Sequence, residues 1–163
     1  MTARVIDGNA LAETMRGEIA TDVAAFHQQT GVTPHLTVVL VGENPASEVY
    51  VGAKQKACAK AGMQSTLVRL PASASQAELL DVLARLNADA NVHGILVQLP
   101  LPPQIDSQAI LDAVSPHKDV DAFHPENVGL IAQGRPRFLP CTPYGVQQIL
   151  VHAGVKTAGA HVV

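Results

Sequence analysis

The run Leu36-Thr37-Val38-Val39-Leu40-Val41, followed by Gly42-Glu43-Asn44-Pro45, decides the fold. Six β-branched and aliphatic residues between Pro34 and Gly42 carry no charge at any alternate position. The run therefore predicts a strand covered on both faces, as in a parallel sheet. Gly42 to Pro45 turn the chain, and a helix is expected from about residue 45 to 61 with Gly62 as its stop. Gln64 to Leu70 alternates polar with apolar and reads as a second strand. Ser75-Gln76-Ala77-Glu78 is a capping box opening a helix through Leu79, Leu80, Val82, Leu83 and Leu86. Residues 94 to 99 (GILVQL) form a third apolar run. Strand, helix, strand, helix, strand is the order that parallel crossovers produce. The expected fold is α/β, a three-layer domain with a mostly parallel sheet and helices on both faces.

Working outward, Leu11, Met15, Ile19, Val23 and Phe26 recur at spacings of three and four, one apolar face of a helix over residues 9 to 29 that Gly31 and Pro34 close. On the other side a short helix is expected over Asp106 to Val114 and a short strand over Arg135 to Leu139. A further helix begins at Thr142 as N-cap with Pro143 at its first position and ends near Gly154. Gly159 to Val163 reads as the start of another strand that stops on two valines. The expectation is a domain over residues 1–140, with 141–163 as a linking helix and the first strand of a truncated second domain.

Bulk properties narrow the function. Of 163 residues, 47% are hydrophobic and only 3% aromatic, so the core is aliphatic. A net charge of −3 with 15% charged residues leaves no basic footprint for nucleic acid. No run approaches the roughly 18 apolar residues of a membrane span, and the start has no signal-peptide core. The two cysteines, Cys58 and Cys141, form no CxxC pattern, which argues against a disulfide scaffold and for a reducing, cytoplasmic setting. The seven histidines never fall at metal-ligand spacing, so no metal is expected.

In open parallel sheets ligands bind beyond the carboxyl ends of the strands. The helix over 45–61 leaves such an end, and at about 100° per residue Ser47, Tyr50, Lys54 and Cys58 share one stripe, with Lys56 and Lys60 turned well away. Helical side chains lean toward the N-terminus, so Lys54 can reach back to the sheet edge. The third strand delivers Gln98 to the same edge, where Pro100, Pro102 and Pro103 forbid its continuation. Holding a lysine amine neutral at pH 7 costs about 4 to 5 kcal/mol unless its surroundings supply the shift. An enclosed Lys54 is accordingly a candidate base or directed proton donor, set against the ordinary reading of a solvated surface charge. Core packing is the corresponding rival for Tyr50, a backbone-bonded strand residue for Gln98, and a solvated turn carboxylate beside Lys118 for Asp121.

Three segments and a fourth short one carry a family resemblance: Val41-Gly42-Glu43-Asn44-Pro45-Ala46-Ser47 through Tyr50-Val51 and Lys54-Gln55-Lys56-Ala57; His93-Gly94-Ile95-Leu96-Val97-Gln98-Leu99-Pro100-Leu101-Pro102; Lys118-Asp119-Val120-Asp121-Ala122-Phe123-His124-Pro125; and Pro140-Cys141-Thr142-Pro143-Tyr144-Gly145. The chain resembles the family of bifunctional methylenetetrahydrofolate dehydrogenases/methenyltetrahydrofolate cyclohydrolases over nearly all of its length. The resemblance implies an N-terminal α/β domain forming one wall of a folate cleft and a Rossmann-like domain holding NADP. It implies two reactions, oxidation of 5,10-methylenetetrahydrofolate to the methenyl cation and hydrolysis of that cation to 10-formyltetrahydrofolate. It makes Lys54 the catalytic lysine, Tyr50 its neighbour against the folate, Gln98 the partner orienting the lysine, and Asp121 the carboxylate gripping the pterin. Val97, Leu99 and Pro100 join them as substrate-binding residues, and Thr142 as a cofactor contact, with the main NADP site beyond Val163. A cytoplasmic homodimer is the implied assembly. Position 122 is Ala where the family pattern commonly has Gly. The competing expectations are a non-catalytic folate-binding module, in which Lys54 serves only as a charge, and an interaction domain with an unrelated ligand.

Overall fold

The computed structural model describes residues 5–161. Three parallel strands, β1 (His35–Val41), β2 (Gln64–Leu70) and β3 (Gly94–Val97), lie in the order β2-β1-β3. The apolar run at 36–41 is thus the central strand, covered on both faces, whereas β2 at one edge keeps exposed alternate positions. Its alternate side chains split between two clusters. Val39 and Val41 pack with Leu79, Val82 and Leu83 of α3 (Gln76–Ala88) and Ile110 of α4 (Ser107–Ala113). Val38 and Leu40 pack with Leu96 and with Val51 of α2 (Pro45–Lys60) on the opposite face. Leu79 and Leu83 are fully buried, and each contributes about 1.5–3 kcal/mol through the apolar surface it removes from water. The α/β three-layer expectation holds.

Local signals place the helices. Asn44 caps α2, its side chain accepting from the amides of Ala46 and Ser47, with Pro45 at the first helical position. Ser75 and Glu78 form the reciprocal capping box of α3. Helix α1 (Gly8–Thr30) closes on Gly31, whose φ of 72° is the left-handed conformation glycine adopts without strain. Of its apolar face only Leu11 is buried, while Ile19 and Phe26 are each 44% exposed.

Four expectations are corrected. The third strand ends at Val97, so Gln98 follows the strand rather than belonging to it. Arg135 to Leu139 forms no strand; the free edge of β3 is bridged by Asp119 opposite Ile95, and Arg137 turns its guanidinium into side-chain bonds instead. The helix near 142 is α6 (Cys141–His152), with Pro140 at the N-cap and no side-chain cap, so Thr142 lies inside the first turn. Residues 158–159 form a turn, with Ala160 donating to the Thr157 carbonyl, and no strand opens through His161; Val162 and Val163 lie outside the described residues. One element was not anticipated, α5 (Pro125–Ala132), capped by the imidazole of His124.

Candidate functional site

Three separate stretches converge at the carboxyl edge of the sheet. Helix α2 presents Tyr50 and Lys54, the end of β3 presents residues 96–99, and the loop before α5 presents Asp121 and Phe123. The N-terminus of α6, residues 140–143, closes the far side of a cleft of about 520 Å³. A parallel sheet brings these together because its strand ends all lie on one edge, however far apart in sequence.

Lys54 is half-buried, and its Nζ donates to Gln98 Oε1 at 2.8 Å. Gln98 Nε2 donates in turn to the Leu99 carbonyl at 2.9 Å. That second bond fixes which end of the amide faces the lysine, because the reversed amide would set donor against donor at Lys54 and acceptor against acceptor at the Leu99 carbonyl. Tyr50 is 63% exposed at the rim, which removes core packing as its role. Lys56 and Lys60 are exposed away from the cleft, as their angular positions require.

Asp121 lies in a turn, but half-buried and not beside the Lys118 amine. Lys118 donates to the carbonyls of Leu86 and Asp89, away from the cleft. Burial pushes the Asp121 carboxyl above its ordinary range, the Lys54 charge draws it back, Asp119 pushes it up again, and the Cys141 thiol steadies the ionised form. Cys141, exposed at the rim, has its own thiol raised by partial burial and then by the Asp121 charge. Ala122, where the resemblance leads one to expect Gly, sits at φ 57°, the left-handed region, and is 1% exposed.

Of the residues singled out by sequence, the structure places Tyr50, Lys54, Val97, Gln98, Leu99, Asp121 and Thr142 on one cleft. Pro100 lies outside the lining, just beyond the cis Leu99–Pro100 peptide. Phe123, Pro140, Cys141 and Pro143 line it without having been singled out. Nothing in residue spacing tells that the start of α6 folds back over the sheet edge. Among the described residues no cluster of three His, Cys, Asp or Glu side chains could hold a metal ion, and no helix is long and apolar enough to cross a membrane.

Comparison with known proteins follows the same lines. Residues 6–121 match the family described as tetrahydrofolate dehydrogenase/cyclohydrolase, catalytic domain. The chain is 56% identical over 169 residues to the bifunctional protein FolD of Rhodopirellula baltica, covering all of this chain and 56% of that protein. It is likewise 56% identical to FolD of Azoarcus sp., again covering 56% of that protein. Among solved structures, the FolD dehydrogenase/cyclohydrolase of Campylobacter jejuni superposes with a TM-score of 0.89 at 43% identity, over 93% of this chain and 54% of that one. The Trypanosoma brucei dehydrogenase-cyclohydrolase, solved with NADP and an inhibitor, gives 0.93 at 39% identity, over 98% and 55%. The chain therefore spans a little over half the length of the relatives it matches.

Proposed function

The chain belongs to the tetrahydrofolate dehydrogenase/cyclohydrolase family, and from that premise we propose that its cleft binds a one-carbon derivative of tetrahydrofolate and supplies the hydrolytic chemistry performed on it. The observation that carries this reading is the Lys54–Gln98 contact at 2.8 Å in a cleft shared with Asp121. A pterin presents a ring N–H beside an amino group, and one carboxylate can accept both in parallel, the role we assign to Asp121. Tyr50 lies against the folate rings. In hydrolysis of the methenyl cation, the water oxygen bonds to the methenyl carbon while one of its protons passes to Lys54 Nζ, and opening of the ring yields 10-formyltetrahydrofolate. Gln98 fixes the direction in which that nitrogen points.

For the whole protein we assign NADP-dependent oxidation of 5,10-methylenetetrahydrofolate ahead of this hydrolysis, in a cytoplasmic homodimer, on the support of the family alone. The described residues do not themselves make a dinucleotide site. The first amides of α2 are already taken by Asn44, and α6 offers only Thr142 at its uncapped N-terminus. No hydride step is derived from them.

The test is a calorimetric titration with a folate analogue, together with hydrolysis of methenyltetrahydrofolate followed by loss of its near-ultraviolet absorbance. Lys54→Ala is expected to keep the fold and abolish hydrolysis. Binding with no hydrolysis in the parent would favour the non-catalytic module, and no binding at all would overturn the folate reading.

A further inference from the structure

We infer that Asn127 is a positioning residue, a buried amide that ties the loop carrying Asp121 and the segment leading into Cys141 and Thr142 to one point and so sets the width of the cleft. The inference rests on the folate reading only for its affinity readout. Asn127 is 0% exposed and lines no part of the cleft. Both of its amide protons and its oxygen are bonded. Nδ2 donates to the Pro116 carbonyl and to Asp119 Oδ2, both at 2.9 Å, and Oδ1 accepts from Arg137 Nη1 at 2.7 Å.

Its partners come from both walls. Asp119 is 4% exposed and also accepts the His124 amide at 2.8 Å, which closes residues 119–124 around Asp121. Its neighbour Lys118 accepts from the Ile95 amide at 2.7 Å, so this wall is anchored to β3. Arg137 pairs with Glu126 of α5 at 2.7 Å and stands three residues before Pro140, where the opposite wall begins. A buried amide bonded through both protons and its oxygen admits no second arrangement without leaving a polar group unpaired. The two walls, separated in sequence by α5, thus share one register.

Asn127→Asp tests this by setting a second carboxylate against Asp119 while keeping the size of the side chain. Cys141 is exposed at the cleft rim and Cys58 is buried, so the rate of reaction with a disulfide reagent such as dithionitrobenzoate reads one wall without any ligand. The expected result is Cys141 reacting about fivefold faster with Cys58 still protected, and affinity for a folate analogue lowered about tenfold. A Cys141 rate within about twofold of the parent overturns the inference, as does a faster rate with unchanged affinity in a protein whose parent binds the analogue. Should Asn127→Asp expose Cys58 as well, Arg137→Leu decides by the same criteria, since it leaves Asn127 and Asp119 paired. If the parent binds no folate analogue, the folate reading fails while the Cys141 rate still decides the clamp.

Discussion

Lys54 Nζ and Gln98 Oε1 meet at 2.8 Å although 44 residues separate them and neither element contacts the other through secondary-structure hydrogen bonds. Strand β1 is what places them together. It precedes α2 directly, and it pairs with β3, whose last residue hands Gln98 to the edge where α2 begins; the Gln98 amide even donates to the Val39 carbonyl of β1 at 2.9 Å. The contact therefore follows from strand order and needs no further device.

Replacing Gln98 by Leu removes the side-chain acceptor that holds the Lys54 amine and leaves the amine free to turn away. A hydrogen bond to a charged or proton-transferring amine accounts for about 1.5–3 kcal/mol, hence a drop in turnover of roughly ten- to a hundredfold. Hydrolysis of methenyltetrahydrofolate by Gln98→Leu is expected to fall by that factor with a smaller change in KM. A loss confined to KM would mean that Gln98 binds substrate and does not orient the lysine.

The burial of Asp121 carries a cost to the fold. Its carboxyl titrates above its ordinary value near 3.8 in the folded state, chiefly through burial. The protonated form is thus the one the fold favours, so the associated stability is complete below that value and is lost as pH rises through the folded one. Asp121→Asn stays neutral throughout and is expected to be more stable than the parent at pH 7, with the gap in urea midpoint narrowing as pH falls toward 4. The same change offers a donor where a pterin edge needs an acceptor, and folate affinity is expected to fall about a hundredfold. A parent protein more stable than Asp121→Asn at pH 7 would contradict this account.

What could be read from the residues alone was whatever is local or follows from strand order. The central strand showed itself through six uninterrupted apolar residues, α3 through its capping box, and the Lys54–Gln98 meeting through parallel topology. What could not be read depends on tertiary contact. Asp119 and Asn127 look like turn and helix-start residues until the fold buries them against each other. No strand forms at 135–139, where Pro136 has no amide to donate and the β3 edge is taken by Asp119. Helix α5 was hidden because its N-cap is an imidazole, outside the usual Ser, Thr, Asp and Asn.

Ala122 tests the backbone beside the carboxylate. A left-handed residue with a β-carbon costs about 1–2 kcal/mol. Replacement by Gly relieves that strain but loses a buried methyl, about 0.8 kcal/mol, and adds about 0.4–1 kcal/mol of unfolded-chain entropy. Ala122→Gly is therefore expected to change stability by less than about 1 kcal/mol. Ala122→Val meets both the left-handed backbone and a 1% exposed site, and is expected to lose about 2–4 kcal/mol. Denaturant midpoints of the two variants check this; a Val variant as stable as the Gly variant would show that the residue does not hold φ 57° in solution.

Gly94 couples the sheet to the same loop from below. A β-carbon at this position would stand 2.7 Å from Val120 Cγ1 and 3.4 Å from Leu36 Cδ1, and Val120 is a short branched side chain with little freedom to withdraw. Gly94 is paired with Leu36 in the ladder, so the strand cannot retreat without breaking its register. The remaining relief is outward displacement of Val120, which lies between Asp119 and Asp121. Gly94→Ala is therefore expected to cost about 1–3 kcal/mol and, in the protein that still folds, to weaken folate binding by moving Asp121 relative to Lys54. Calorimetric affinity measured beside a denaturant curve separates the two effects. Lost stability with wild-type affinity would show that the loop absorbs the displacement before it reaches the carboxylate.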